Sequence, residues 1–155
     1  MTLLLMWTAC MPASHRQAKR LEGRYDVPPP GKGWHLVEPG GADHAWFNKE
    51  LGAVIYTDSN CGPRFDELAA EDLATELVAG LREEERIRDE TIALAGREGV
   101  LRVHRGKLDG VPMQLGFVVI NRDACTYDFT YLASPDTFDA GFEAWEKVWR
   151  GFRPR

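Results

Sequence analysis

Three cysteines, Cys10, Cys61 and Cys125, are the side chains of this chain with the widest chemical reach. A thiolate can attack a substrate, bind a metal or close a disulfide. Zinc is excluded by spacing, since no Cys-x-x-Cys and no His-x-x-x-His occurs. A catalytic thiol needs a histidine beside it. None of the four histidines, His15, His35, His44 and His104, can be placed next to Cys61 or Cys125 from sequence. With Cys10 set aside, Cys61 and Cys125 form an even pair. In an exported domain such a pair reads as a disulfide, closing a long loop and contributing roughly 4 kcal/mol. Two buried or free thiols are the alternative.

Other chemistry is sparse. There is no nucleophile elbow, no P-loop and no dinucleotide fingerprint. The glycine-punctuated stretches Arg97-Glu98-Gly99 and Gly106 to Gly110 have the spacing of strand ends rather than phosphate loops. Asp128, next to Tyr127, is an unusual strand carboxylate, expected on a solvent-facing side. His104 is in phase with Arg102 and is expected to be exposed with it. His35 and His44 lie near loops. No catalytic residue, metal ligand or cofactor is assigned, and the chain is expected not to be an enzyme.

The N-terminal residues carry a targeting pattern. An apolar run, Leu3 to Trp7, leads through the small residues Thr8 and Ala9 to Cys10. The run is too short to cross a bilayer as a helix, which takes about 20 residues. It reads as the end of a signal peptide, residues 1–9. Trp7-Thr8-Ala9-Cys10 resembles the lipobox of bacterial lipoproteins, with Trp7 where the pattern usually has Leu. The resemblance implies that Cys10 carries a diacylglycerol, and two acyl chains suffice for stable anchoring. Residues 10–20 then form the lipidated N-terminus and a tether, and residues 21–155 one α+β domain. The basic cluster His15, Arg16, Lys19 and Arg20 belongs to that solvated tether. Met11 after the lipidated cysteine, in place of an aspartate, slightly favours the outer membrane.

The elements that must position these groups follow from periodicity. Short strands are expected at Tyr25 to Val27 and Gly33 to Val37, separated by Pro28-Pro29-Pro30-Gly31. Ala45 to Asn48 and Ala53 to Thr57 read as a hairpin turning at Lys49 to Gly52. Leu73, Leu77 and Leu81 recur every four residues and predict a helix from about Ala70 to Arg88, with Glu83, Glu84, Glu85, Arg86 and Arg88 as its solvated face. Thr91 to Leu94 could be a strand. Gly99 to Leu108 alternates, Asp109-Gly110 is a strong two-residue hairpin turn, and Val111 to Ile120 returns. Ala124 to Ala133 follows, with Cys125, Tyr127, Phe129 and Tyr131 on one face and Thr126, Asp128 and Thr130 on the other. Ser134 as N-cap and Pro135 at the first position open a final helix. Its stripe of Phe138, Phe142, Trp145, Trp149 and Phe152 is expected to pack on the sheet.

The predicted class is α+β: an antiparallel sheet of about six or seven strands, flanked by a central helix and the aromatic-striped C-terminal helix. The chain has 155 residues, 44% hydrophobic and 28% charged, enough for one core without metals. With 19 basic against 24 acidic residues, the net charge of −5 argues against nucleic acid.

This order of elements, with Pro30-Gly31-Lys32-Gly33-Trp34 at its head, resembles the PsbP-like fold. That fold is an α-β-α sandwich found in a photosystem II extrinsic subunit and in many bacterial lipoproteins. Gly96-Arg97-Glu98, Lys107 to Pro112 and Cys125-Thr126-Tyr127-Asp128, closed by Phe138 to Phe152, are similar to uncharacterised lipoproteins of deltaproteobacteria. The resemblance spans about Tyr25 to Phe152 and implies no activity or catalytic residue. The photosystem role depends on a manganese cluster and partner subunits, and nothing in this sequence carries it over. The expectation is a non-catalytic lipoprotein on the periplasmic side of the cell envelope, anchored by its lipid and acting as a binding or assembly module for an envelope partner. The alternative is a carrier of a small apolar ligand, in a cleft between the sheet and the C-terminal helix.

Overall fold

Alternating apolar and β-branched residues build most of the molecule, seen here in a computed structural model that describes residues 25–65 and 69–155. The strands are β1 (Tyr25–Asp26), β2 (His35–Leu36), β3 (His44–Asn48), β4 (Ala53–Cys61), β5 (Arg82–Leu94), β6 (Arg97–Leu108), β7 (Val111–Arg122), β8 (Cys125–Ala133) and β9 (Arg153–Pro154). The helices are α1 (Ala70–Leu77) and α2 (Phe138–Arg150). Seven strands form one antiparallel sheet in the order β2-β3-β4-β8-β7-β6-β5. β1 and β9 form a separate two-stranded ribbon joining the two ends of the described chain. The expected class, an α+β fold with a sheet of this size and two helices, is what the structure shows.

The sheet separates two cores. On one face, α2 lays Phe138, Trp145, Val148 and Trp149 against Ile55, Val118, Phe129 and Tyr131. The aromatic stripe therefore packs as its spacing predicts. Two polar tips are satisfied inside this layer: Trp145 Nε1 donates to the Phe129 carbonyl at 3.1 Å, and the Tyr131 hydroxyl to the Phe138 carbonyl at 2.8 Å. The helix itself opens later than the sequence suggests. Ser134 to Thr137 form a turn in which the Ser134 carbonyl accepts the amides of Thr137 and Phe138. Thr137 is the N-cap residue, and no side chain caps the helix.

On the opposite face, α1 packs Leu73 and Ala74 on Val100, Leu115, Phe117 and Val119. Here the structure corrects the reading of one long helix. α1 has eight residues and ends at Leu77. Arg82–Leu94 is instead a strand of 13 residues at the sheet edge, paired with β6. Glu and Arg are good helix formers, but non-local pairing outweighs that local preference. Leu81, which extends the helical stripe in the sequence, sits on Gly106 of β6, where a Cβ would meet its Cγ at 2.6 Å. The charges expected on a helical face become a guard on an edge strand, where charge and bulges discourage further strand addition. β5 is exposed along most of its length and shifts register twice.

The tight turns have a common chemistry. Asp109-Gly110 takes positive φ at both residues, 49° and 81°, as its sequence predicts. Gly141 in α2 is tight for another reason: a Cβ there would press into Tyr131, reaching its Cζ at 2.9 Å. Ala is ordinarily favoured over Gly in a helix by about 1 kcal/mol. Gly141→Ala should nonetheless destabilise the protein by about 1–3 kcal/mol, because Tyr131 is fully buried and cannot swing away. Urea unfolding checks this.

Candidate functional site

The register between β4 and β8 sets Asp58 opposite Asp128, Ser59 opposite Tyr127, Asn60 opposite Thr126 and Cys61 opposite Cys125. The two cysteines are joined, with an S–S length of 2.03 Å. The disulfide thus links adjacent strands where they begin and end. Cys10 and the lipobox-like segment lie outside the described residues.

Beside the disulfide, α1 covers only part of its face of the sheet. A cavity of about 290 Å³ remains between helix and strands. Its apolar wall is Phe65, Leu73, Leu77 and Val119, and its polar wall is Asn60, Thr126 and Asp128. Glu76, exposed on α1, borders it.

Asp128 is the unusual group here. It was expected to face solvent, and its face is indeed the one opposite the aromatics. Yet only 8% of it is exposed, because α1 and the preceding turn enclose that side. Burial disfavours the carboxylate, and the negative charges of Asp58 and Asp43 add to the effect, so its pKa is pushed up to about 7. No lysine, arginine or histidine among the described residues forms an ion pair with it. The structure therefore does not set a histidine beside Asp128 as an acid–base partner.

His104 and Arg102 are likewise buried, not exposed, at 3% and 7%. Arg102 reaches from β6 to Asp89 of β5, Nε to Oδ1 at 3.0 Å, and to Glu71 of α1, so one guanidinium pins the short helix to the sheet. The His104 ring stacks on Phe117 with centroids 5.5 Å apart and bonds Glu84 through Nδ1, while its Nε2 has no partner. His35 is exposed on the β2 edge. His44 bonds Thr57 Oγ1 through Nδ1 at 3.0 Å and stacks on Trp46. The alternation of strand residues predicted which face each side chain takes, but not that a helix would cover it.

A second cavity, of about 250 Å³, opens between the sheet and the start of α2. Ile87, Val103, Phe138 and Phe142 line it, with Arg88 above the Phe142 ring at 5.4 Å. No group of three His, Cys, Asp or Glu side chains among the described residues could hold a metal ion.

No protein-family model and no curated protein sequence matches the chain. Solved structures do. LpqN of Mycobacterium tuberculosis, described as involved in cell envelope biogenesis, superposes with a TM-score of 0.61 at 12% identity, over 83% of this chain and 81% of that one. The cyanobacterial PsbP of Synechocystis gives 0.58 at 16% identity, over 85% and 87%. PA94 of Pseudomonas aeruginosa, of unknown function, gives 0.55 at 20% identity, over 79% and 81%. The chain has a PsbP-like fold.

Asp128 carries a pH signature. Between about 3.9, the value for an unfolded chain, and about 7, the folded state keeps a proton that the unfolded chain has released. Stability from this group therefore falls as pH rises through that window, by up to about 1.4 kcal/mol per unit. Asp128→Asn should gain on the wild type steadily from pH 4.5 to pH 7.5 and hold a constant advantage above it. Parallel urea titrations across that range would show a gap that stays flat if Asp128 ionises normally.

Proposed function

We propose that this chain is a non-catalytic binding or assembly module of the cell envelope, exported from the cytoplasm and held at a membrane by lipid on Cys10. The observation that carries the reading is the Cys61–Cys125 disulfide. Such bonds persist in oxidising compartments and are rare in the cytosol. The lipobox-like Trp7-Thr8-Ala9-Cys10 supplies the anchor. LpqN, with a similar fold, is involved in cell envelope biogenesis. A stiff sheet on a tether, with exposed loops, suits an accessory subunit that meets a partner near the membrane. The outer membrane is the favoured site, from Met11.

A second reading, the carrier of a small apolar ligand, is favoured by one observation: the cavity between sheet and α2, walled by Ile87, Val103, Phe138 and Phe142. Native mass spectrometry of protein from its own host should then show an adduct that Val103→Trp abolishes. A bare protein mass would count against this reading.

The intact mass of membrane-extracted protein, with and without reductant and alkylation, tests the main reading. A chain starting at a diacylated Cys10, with two thiols alkylated only after reduction, is expected. An unmodified N-terminus with three alkylatable thiols would contradict it. Removing the disulfide through Cys61→Ala with Cys125→Ala should lower stability by about 2–4 kcal/mol, measured by urea unfolding.

A further inference from the structure

We propose that the cavity between α1 and the sheet binds a small organic monocation, an amine on an apolar body, with the Asp128 carboxylate as its counter-ion. The site is distinct from the α2-side cavity, and the proposal goes beyond the tethered-module reading: it depends on neither lipid nor compartment.

The two walls define the chemistry. Phe65, Leu73, Leu77 and Val119 offer contact to an apolar body. Asp128, Asn60 and Thr126 gather on the strand side, where a carboxylate, a side-chain amide and a hydroxyl can take up the three N–H donors of an ammonium group. Asp128 is more than nine-tenths buried and lines the cavity, and no basic side chain among the described residues is ion-paired with it. A buried charge is costly unless paired. Among the described residues, the titratable groups near it sharpen the preference: Asp43 before β3, Asp58 and Tyr56 on β4, and Glu76 on α1 are acidic or neutral. An anion is repelled, and a neutral ligand leaves the carboxylate unsatisfied. A metal ion lacks ligands, because no set of three His, Cys, Asp or Glu among the described residues converges. The size, about 290 Å³, sits at the small end of ligand pockets, about 300–1,000 Å³, and suits a compact molecule.

The disulfide bears on the same place. Cys61 and Cys125 follow Asn60 and precede Thr126, so the bond holds the two strands that carry the polar wall in register at its end.

The test is an NMR titration of the full chain with 2-phenylethylamine, and with 2-phenylethanol as its neutral counterpart, followed through the methyl signals of Leu73, Leu77 and Val119. The amine should give saturable shifts at pH 8 while the alcohol binds at least tenfold more weakly. The amine's affinity should drop as pH falls below 7, since a proton then competes for Asp128. Asp128→Asn should weaken amine binding at least tenfold while retaining a dispersed spectrum. If that variant does not fold, the wild-type pH series decides. Equal binding of amine and alcohol, affinity independent of pH, or no saturable shift of these methyls would overturn the proposal. None of these outcomes touches the mass of the N-terminus, so this proposal and the lipoprotein reading fail separately.

Discussion

The structure depends on the pairing of β4 with β8. These strands join two pieces of sheet that are otherwise local hairpins: β2, β3 and β4 on one side, and β5 to β8 on the other. The register runs without a break from Val54 opposite Leu132 to Cys61 opposite Cys125. A slip by one residue would send every side chain of a strand to the other face. Phe129 and Tyr131 would leave α2, Asp128 would enter the aromatic layer, and the cysteines would separate. The disulfide closes the register at one end, and Tyr131 fixes it against α2 at the other through its bond to the Phe138 carbonyl.

The two faces serve different ends. The α2 side is an aromatic layer in which Tyr25, Tyr127, Phe129 and Phe152 meet edge to face or tilted, at centroid distances of 4.9–6.5 Å. Such a layer is well packed and supplies most of the burial. The α1 side is thinner. An eight-residue helix, held by Leu73, Ala74 and the Arg102 clamp, covers a surface that also carries Asp128, Thr130, Arg102 and His104. Buried polar groups on the less completely covered face make it the place to look for binding.

Much of this was legible in the sequence, for identifiable reasons. The Asp109-Gly110 turn, the alternation of Cys125 to Tyr131 and the aromatic stripe of α2 are local signals, and local physics decides them. Strand β5 was not legible. Its residues have helical preferences, and its extended form comes from β6, whose partners lie between three and 25 residues away. The site was half legible. Alternation put Asp128 opposite the aromatics, but its burial depends on where α1 lands, and no spacing in the sequence states that. The same gap hid His104 and Arg102. The count of cysteines favoured a Cys61–Cys125 bond over two free thiols once Cys10 was set aside, and the structure shows the bond, while Cys10 itself belongs to a segment outside the described residues.

The claim that the α1 face holds a buried, electrostatically uncompensated carboxylate can be tested on that single group. The carboxyl carbon of Asp128 can be followed by NMR from pH 3 to pH 9 in the folded protein. The structure predicts a midpoint of about 7. A midpoint near 4, the ordinary range of an aspartate, would mean that water or a cation already reaches it, and the account of this face would be wrong.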